Sequence, residues 1–267
     1  MWGQSALLTL PSGIWLDGKH YRAAALRPLT GEDEFIVSAL SASLPEQVTL
    51  LLSRCVTALD ALSPVPASMI AALPIGDREA LLLMLRGVSY GARMDGSLNC
   101  SHCNAKLDLD LHANQLLLPP YDQPAPVYEL TVENVTVTFR LPTGDDESIA
   151  ARLPVDQAEA EILRRCVVLV TPEARELSDT VSEAVEQAML DCDPQAELVI
   201  DMQCPECEHR FSALFDTAQF FLREIGQHAQ QLYREIHTLA LAYHWREADI
   251  LALPFQRRQM YLKLLDE

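Results

Sequence analysis

The sequence predicts an α+β fold, mainly helical, in which helical N-terminal and C-terminal parts surround a small β element that a helical insertion splits in two. Three observations carry this. Two Cys-x-x-Cys pairs, Cys100/Cys103 and Cys204/Cys207, stand about a hundred residues apart, and each is followed by a short stretch of strict apolar/polar alternation. The apolar stretches between residues 31 and 96 are punctuated by Pro45, Pro64, Pro66 and Pro74, which divide them into short helices because proline cannot continue an interior hydrogen-bond ladder. From Thr217 onward, Phe221, Ile225, Ala229, Leu232, Ile236, Leu239 and Tyr243 recur at steps of three or four, the signature of a long amphipathic helix.

Taken in order, residues 10–28 place Asp17-Gly18 between extended flanks and read as a β-hairpin. Thr30 with Glu32, Asp33 and Glu34 offers cap chemistry and early acids for a helix start. Asp77 is a candidate N-cap for the apolar run that ends near Gly87. Lys106 to His112 alternates leucine with polar residues, a strand with one buried face. Leu116 to Pro126 carries four prolines and reads as a linker. Val127 to Arg140 forms a second hairpin around Glu133-Asn134. Helices restart after Pro154 and Ser178 and end at Pro194. Glu197 to Met202 and Arg210 to Phe215 are strands that flank the second cysteine pair, and short helices follow the long C-terminal one.

The expected organisation is therefore a hairpin over residues 1–30, a helical region over 31–96, a split ribbon over 97–115 and 195–216, an insertion of hairpin plus helices over 116–194, and C-terminal helices over 217–267. The insertion is expected to be anchored at one point, the ribbon.

Composition narrows the function. At 267 residues and 49% apolar, the chain can bury a genuine core. No run approaches the roughly 18 apolar residues of a membrane span, and the N-terminus has no basic region before Lys19, so a cytoplasmic protein without a secretory signal or membrane partner is expected. A formal charge of −18 opposes attraction to phosphate backbones and anionic lipids. Arg164-Arg165 and Arg257-Arg258 are the adjacent basic pairs, and solvated or ion-paired helix faces account for them. Ten glycines leave little material for phosphate-cradling loops, and no Gly-x-Ser-x-Gly, Walker-type or His-Glu-x-x-His motif is present. An enzyme is not expected.

Cys100, Cys103, Cys204 and Cys207 supply four thiolates, enough to close a tetrahedral zinc shell with no open position for catalysis. The expected metal is thus a structural tetrathiolate zinc; a redox dithiol and two unrelated pairs are the rivals. Cys100-x-x-Cys103-x-x-x-Leu107-x-Leu109 and Cys204-x-x-Cys207-x-x-x-Phe211-x-Ala213 echo one another, as two half-ribbons sharing one metal would. His102 and His209 lie beside the pairs as substitute ligands, with plain exposure as the default. His228, His237 and His244 lie along the C-terminal helix and read as packing or surface residues. Cys55, Cys166 and Cys192 read as small buried apolar residues.

Several stretches resemble T4-like phage baseplate proteins, a group of contractile phage tails and related injection systems that includes hub assembly chaperones. They are Leu26-Arg-Pro-Leu-Thr-Gly-Glu-Asp-Glu34, Ile75-Gly-Asp-Arg-Glu-Ala-Leu-Leu-Leu-Met-Leu-Arg86, Tyr90-Gly91 and the first cysteine pair with its strand. Arg140-Leu-Pro-Thr-Gly144, Asp193-Pro-Gln-Ala-Glu197, the second pair, Glu235-Ile-His-Thr-Leu-Ala240 and Trp245-Arg-Glu-Ala-Asp-Ile-Leu-Ala252 are similar to the longer members with zinc knuckles. The resemblance implies a structural or assembly component with baseplate or hub proteins as partners, no catalytic residues, and the four cysteines as its site. A transient chaperone and a permanent subunit both fit. A zinc-ribbon regulator that binds nucleic acid is the alternative from a different class.

Overall fold

A computed structural model describes residues 6–172 and 177–265; the remaining parts of the expected segments, 1–5, 173–176 and 266–267, lie outside the described residues. The fold mixes helices with four small antiparallel sheets. The first hairpin, β1 (Ala6–Leu16) and β2 (Lys19–Leu26), turns at Asp17 and Gly18, both with positive φ, which gives the turn the twist of its strands. It is followed by α1 (Gly31–Ala39), α2 (Leu44–Cys55), β3 (Val56–Leu59), α3 (Ala67–Ala71), α4 (Ile75–Tyr90), β4 (Arg93–Asn99), the first knuckle, and β5 (Lys106–His112). β3 adds to β2, so the sheet runs β1-β2-β3.

After α5 (Ala113–Leu116) the same sequence of elements begins again. β6 (Tyr128–Val132) and β7 (Val135–Phe139) turn at Glu133 and Asn134, again with positive φ. Then come α6 (Gly144–Ala150), α7 (Val155–Cys166), β8 (Val167–Thr171), α8 (Asp179–Cys192), a 3-10 turn (Pro194–Ala196), β9 (Val199–Gln203), the second knuckle and β10 (Arg210–Leu214). The sheet order β6-β7-β8 repeats the first.

The likeness of the two units reaches side chains. Thr30 and Thr143 each close a capping box with an aspartate three residues on, Asp33 and Asp146. Each aspartate is fully buried and held by two arginines: Arg27 (2.6 Å) and Arg54 (2.7 Å) for Asp33, Arg140 (2.6 Å) and Arg165 (2.7 Å) for Asp146. Arg27 N donates to Cys55 O, and Arg140 N to Cys166 O, both at 2.9 Å. The chain then continues into α9 (Thr217–Tyr243), α10 (Glu247–Leu251) and α11 (Phe255–Lys263).

One joint locks the units to each other, and a second of the same build locks the C-terminal helices to the first unit. Leu73-Pro74, leading into α4, meets the start of α6: Gly144 N donates to Leu73 O (3.3 Å) and Ile75 N to Pro142 O (3.1 Å). Leu253-Pro254, leading into α11, meets the start of α1 in the same way, with Gly31 N donating to Leu253 O (3.3 Å). In each, an arginine four residues past the proline lies over the glycine: Arg78 over Gly144 and Arg258 over Gly31. A side chain at either glycine would meet the guanidinium.

These contacts overturn the expectation of an insertion hung from one point. The second unit packs along α2 and α4, with Arg152 paired to Glu46 (2.7 Å) across the boundary, because its own core around Val137, Phe139, Leu163 and Val185 covers only part of its surface. The region expected to be wholly helical contains β3, and the helical part of the expected insertion contains β8. Asp77 is not the N-cap of α4; Pro74 is. Asp77 sits in the first turn, where its carboxylate reaches across to accept Ser12 N (2.8 Å) and Gly13 N (2.7 Å) at the bulge of β1. The main core joins the first sheet to α2, α4 and the inner face of α9 through Leu10, Leu26, Leu51, Leu82, Phe221 and Ile225.

Burial works against ionising Asp146, yet its bonds to Arg140, Thr143 and Arg165 hold its carboxyl well below the usual range; Asp33 is lowered likewise. A depressed carboxyl stabilises the fold above its unfolded pKa, and that contribution fades as pH falls below about 4. Asp146→Asn should therefore cost about 2 kcal/mol at neutral pH and flatten the acid limb in urea unfolding followed from pH 7 to 2. A variant whose stability falls with acid as steeply as the parent's would refute this role.

Candidate metal centre

The two hairpins that carry the cysteines are short and two-stranded, with β4 paired to β5 and β9 paired to β10. Each knuckle is closed by the same pair of backbone bonds. Cys100 N donates to Ala105 O (2.8 Å) and Asn104 N to Cys100 O (3.0 Å); Cys204 N donates to His209 O (2.9 Å) and Glu208 N to Cys204 O (2.9 Å). Asn104 and Glu208 both take positive φ to turn the chain back into its second strand. The inner faces meet through Leu98, Leu107, Met202 and Phe211.

Separate clamps aim each hairpin. The Arg86 guanidinium, at the end of α4, pairs with Glu224 of α9 (2.8 Å) and donates to the carbonyls of Gly91 and Arg93, just where β4 begins. Before β9, the Asp193 carboxylate accepts Gly76 N (2.9 Å) and the Tyr121 hydroxyl (2.7 Å), while Gln195 accepts Leu118 N (2.7 Å). The Asp193-Pro-Gln stretch is thus what holds the second hairpin against α4. Gln195 and Arg86 were not singled out from the sequence for this role; their partners lie far away in the chain, beyond the reach of local pattern.

The outcome is that all four cysteines expected as ligands converge. Their sulfurs lie within 4.8 Å of one another, Cys100 and Cys207 at 3.8 Å and Cys103 and Cys204 at 3.6 Å. Thiolates on one tetrahedral zinc at about 2.3 Å stand roughly 3.8 Å apart, so the donor set and its spacing fit such an ion. None of the four is in a disulfide. Cys100 and Cys204 are buried, Cys207 is half-buried and Cys103 is exposed, so one edge of the cluster opens to solvent.

Electrostatics within the cluster are uneven. Backbone N–H groups of Cys103 and then His102 favour the Cys100 thiolate and bring it down to about 6. The His209 N–H favours the Cys207 thiolate too, but desolvation and the three neighbouring sulfurs outweigh it and push Cys207 up to about 12. Four sulfurs this close cannot all ionise without a cation among them. A bound dication would remove that conflict.

The histidines stay outside. His102 and His209 face one another at a ring-centroid distance of 5.2 Å, and neither joins the four-sulfur group. His228 packs between Tyr90 and Phe255, where desolvation lowers its pKa. His237 and His244 are exposed. Cys55 and Cys166 are fully buried and Cys192 is half-buried, and desolvation pushes the first two up to about 12.

A family model described as T4 bacteriophage base plate protein matches residues 17–222. No curated protein and no solved structure matches the chain.

In the folded protein, iodoacetamide at neutral pH should leave Cys55 and Cys166, both fully buried with their thiol pKa raised, untouched until denaturant is added. Peptide mass spectrometry reads the labelling; early labelling of Cys55 or Cys166 would contradict the burial described.

Proposed function

The chain belongs to the T4 bacteriophage base plate protein family, and from that premise we propose that it is a non-enzymatic assembly component, chaperone-like in role, of the baseplate of a phage or phage-tail-like contractile injection system. The observation that carries the reading is a family match that spans both units and both cysteine knuckles. Cys100, Cys103, Cys204 and Cys207 are proposed to hold one structural zinc, which would make the paired hairpins a split zinc ribbon. Bound there, zinc supplies a closed four-thiolate shell and no open position for water or substrate.

The chain's own residues do the rest. The knuckle backbones point the sulfurs inward, and the Arg86 and Asp193 clamps hold the two hairpins in register with α4. Function then lies on the surfaces that the joint fixes, and the partners are other baseplate components, with hub proteins first among them. No helix among the described residues is long and apolar enough to cross a membrane, in keeping with assembly in the host cytoplasm. Nothing favours a nucleic-acid reading: the outward faces of the hairpins carry exposed Asp95, Asp108, Asp110 and Asp201, which would repel phosphate.

Affinity purification from cells expressing the full set of baseplate genes should recover hub, spike, tube or wedge proteins with this chain, and recovery of none would count against the reading. Mass spectrometry of finished particles separates the two forms of it: a subunit is retained and a chaperone is absent. Because metal binding of this class is coupled to folding by on the order of 10 kcal/mol, a zinc chelator should lower the melting temperature, and Cys204→Ser should do the same without chelator. An unchanged melting temperature in both would remove the structural role of the metal.

A further inference from the structure

The segment that closes the C-terminal joint repeats the one that closes the joint between the units. Ile70-Ala-Ala-Leu-Pro-Ile-Gly-Asp-Arg78 and Ile250-Leu-Ala-Leu-Pro-Phe-Gln-Arg-Arg258 share the pattern Ile-x-Ala-Leu-Pro-x-x-x-Arg. Each is a short helix, a Leu-Pro corner and a following helix, α3 into α4 and α10 into α11. Ile70 and Ile250 are both fully buried, and Arg78 and Arg258 each lie on the glycine of a Thr-Gly helix start. The seats are alike as well, Arg27-Pro-Leu-Thr-Gly-Glu-Asp33 and Arg140-Leu-Pro-Thr-Gly-Asp-Asp146. One kind of clip meets one kind of seat twice, whatever length of chain lies between them.

The two clips are not held equally. α4 buries residues along most of its length and contributes Leu81, Leu82 and Leu85 to the main core. In the C-terminal clip the buried residues are Ile250 of α10 and Arg258 of α11, and the main core contains no residue beyond Ile225. What fixes this clip is chiefly polar. Arg258 pairs with Glu34 (2.5 Å) and with Glu235 of α9 (2.8 Å), and Gln259 donates to Glu235 (2.5 Å). Phe255 stacks on His228 with ring centroids 4.5 Å apart, and Tyr261 packs on half-buried Tyr243 and Trp245 at the edge. A terminal element with so little apolar burial opens before the core does. Its tether is short: α9 ends at Tyr243, His244 takes a left-handed φ of 56°, and α10 begins at Glu247. Residues other than glycine rarely hold that conformation. Straightened there, α9 would run on toward α10 and carry the clip away from its own seat.

We propose that two copies of this chain exchange their C-terminal clips, each clip resting on the Thr30-Gly31 helix start of the other copy, to give a closed dimer. The contacts required already exist within one molecule: Ile250, Phe255 and Arg258 come from one copy, and Glu34, His228 and Glu235 from the other. A second copy therefore fits the seat with no new complementarity, and exchange of an identical element is a low-cost route to dimers. Clips and seats are equal in number, so the dimer leaves neither over. The tether keeps each clip at high effective concentration near its own seat, so the monomer prevails in dilute solution and the dimer grows as the protein is concentrated. The exchange does not rest on the assembly role proposed above.

Full-length protein is brought to equilibrium at concentrations from about 10 μM to about 1 mM, and its association is measured by analytical ultracentrifugation. The expected result is a dimer that grows with concentration. His244→Ala, which disfavours the left-handed tether and extends the helix, should raise the association constant about threefold or more, and His244→Gly, which relaxes the tether, should lower it by a similar factor. Arg258→Glu spoils the clip and Gly31→Leu blocks the seat, so each alone should be monomeric. Mixed, they supply one sound clip and one sound seat and should form a heterodimer. Amide spectra of the main core show whether these two variants are folded; if either is not, the opposed effects of the His244 variants carry the test. Absence of dimer in both the parent and His244→Ala, equal association in the two His244 variants, a dimer of folded Arg258→Glu or Gly31→Leu alone, or no heterodimer from their mixture would overturn the proposal. Recovery of baseplate proteins from cells is a separate result, so either reading can fail without the other.

Discussion

The convergence of four sulfurs from two distant hairpins is the constraint on which the middle of this molecule depends. A two-stranded ribbon is marginal by itself, and the small core between these two buries Cys100, Leu107 and Cys204 among the described residues. Apolar burial of that size cannot hold four short strands together. The thiols also set one another's protonation, so without a cation the cluster carries either repulsion or desolvated neutral thiols. A tetrathiolate zinc resolves both difficulties, and it would tie one unit to the other at the point where each unit ends.

The remaining architecture follows from building one unit twice, locking the copies through one joint and docking the C-terminal helices on the first copy through a second joint of the same build. In each joint a Leu-Pro corner feeds a helix against a Thr-Gly helix start, and a buried arginine lies on the glycine: at Gly144 an added Cβ would overlap the Arg78 guanidinium carbon, and at Gly31 it would press on Arg258 at 3.1 Å. A buried guanidinium is expensive unless every donor is answered. At the C-terminal joint Glu34, Glu235 and a backbone carbonyl answer Arg258. At the joint between the units, Arg78 relies mainly on neutral oxygens, which leaves acid in surplus. Two copies of one solution thus differ in charge balance.

Much of this was legible in the sequence, for identifiable reasons. Cys-x-x-Cys spacing encodes the turn itself, so the sulfur cluster could be read without knowing how the chain returned. The periodicity of α9 named its buried face, and Phe221, Ile225, Ala229, Leu232 and Leu239 are buried. The Asp17-Gly18 and Glu133-Asn134 turns sit where their residues placed them. β3 and β8 were hidden because each follows a helix directly, Cys55 into Val56 and Cys166 into Val167, with no proline or glycine to mark the change; only pairing with β2 and β7 makes them strands. The joints were hidden for another reason. Arg27-Pro-Leu-Thr-Gly-Glu-Asp33 and Arg140-Leu-Pro-Thr-Gly-Asp-Asp146 share a pattern, as do Leu73-Pro74 with Arg78 and Leu253-Pro254 with Arg258. These patterns show only when the chain is set against itself, because each copy alone looks like an ordinary helix start or a Leu-Pro corner.

The most direct test of the account is X-ray absorption at the zinc edge on full-length protein purified without chelator. The account predicts a first shell of four sulfurs at about 2.3 Å with no nitrogen or oxygen neighbour. A shell containing a histidine nitrogen or a water oxygen, or protein that carries no zinc, would contradict a closed joint made by Cys100, Cys103, Cys204 and Cys207.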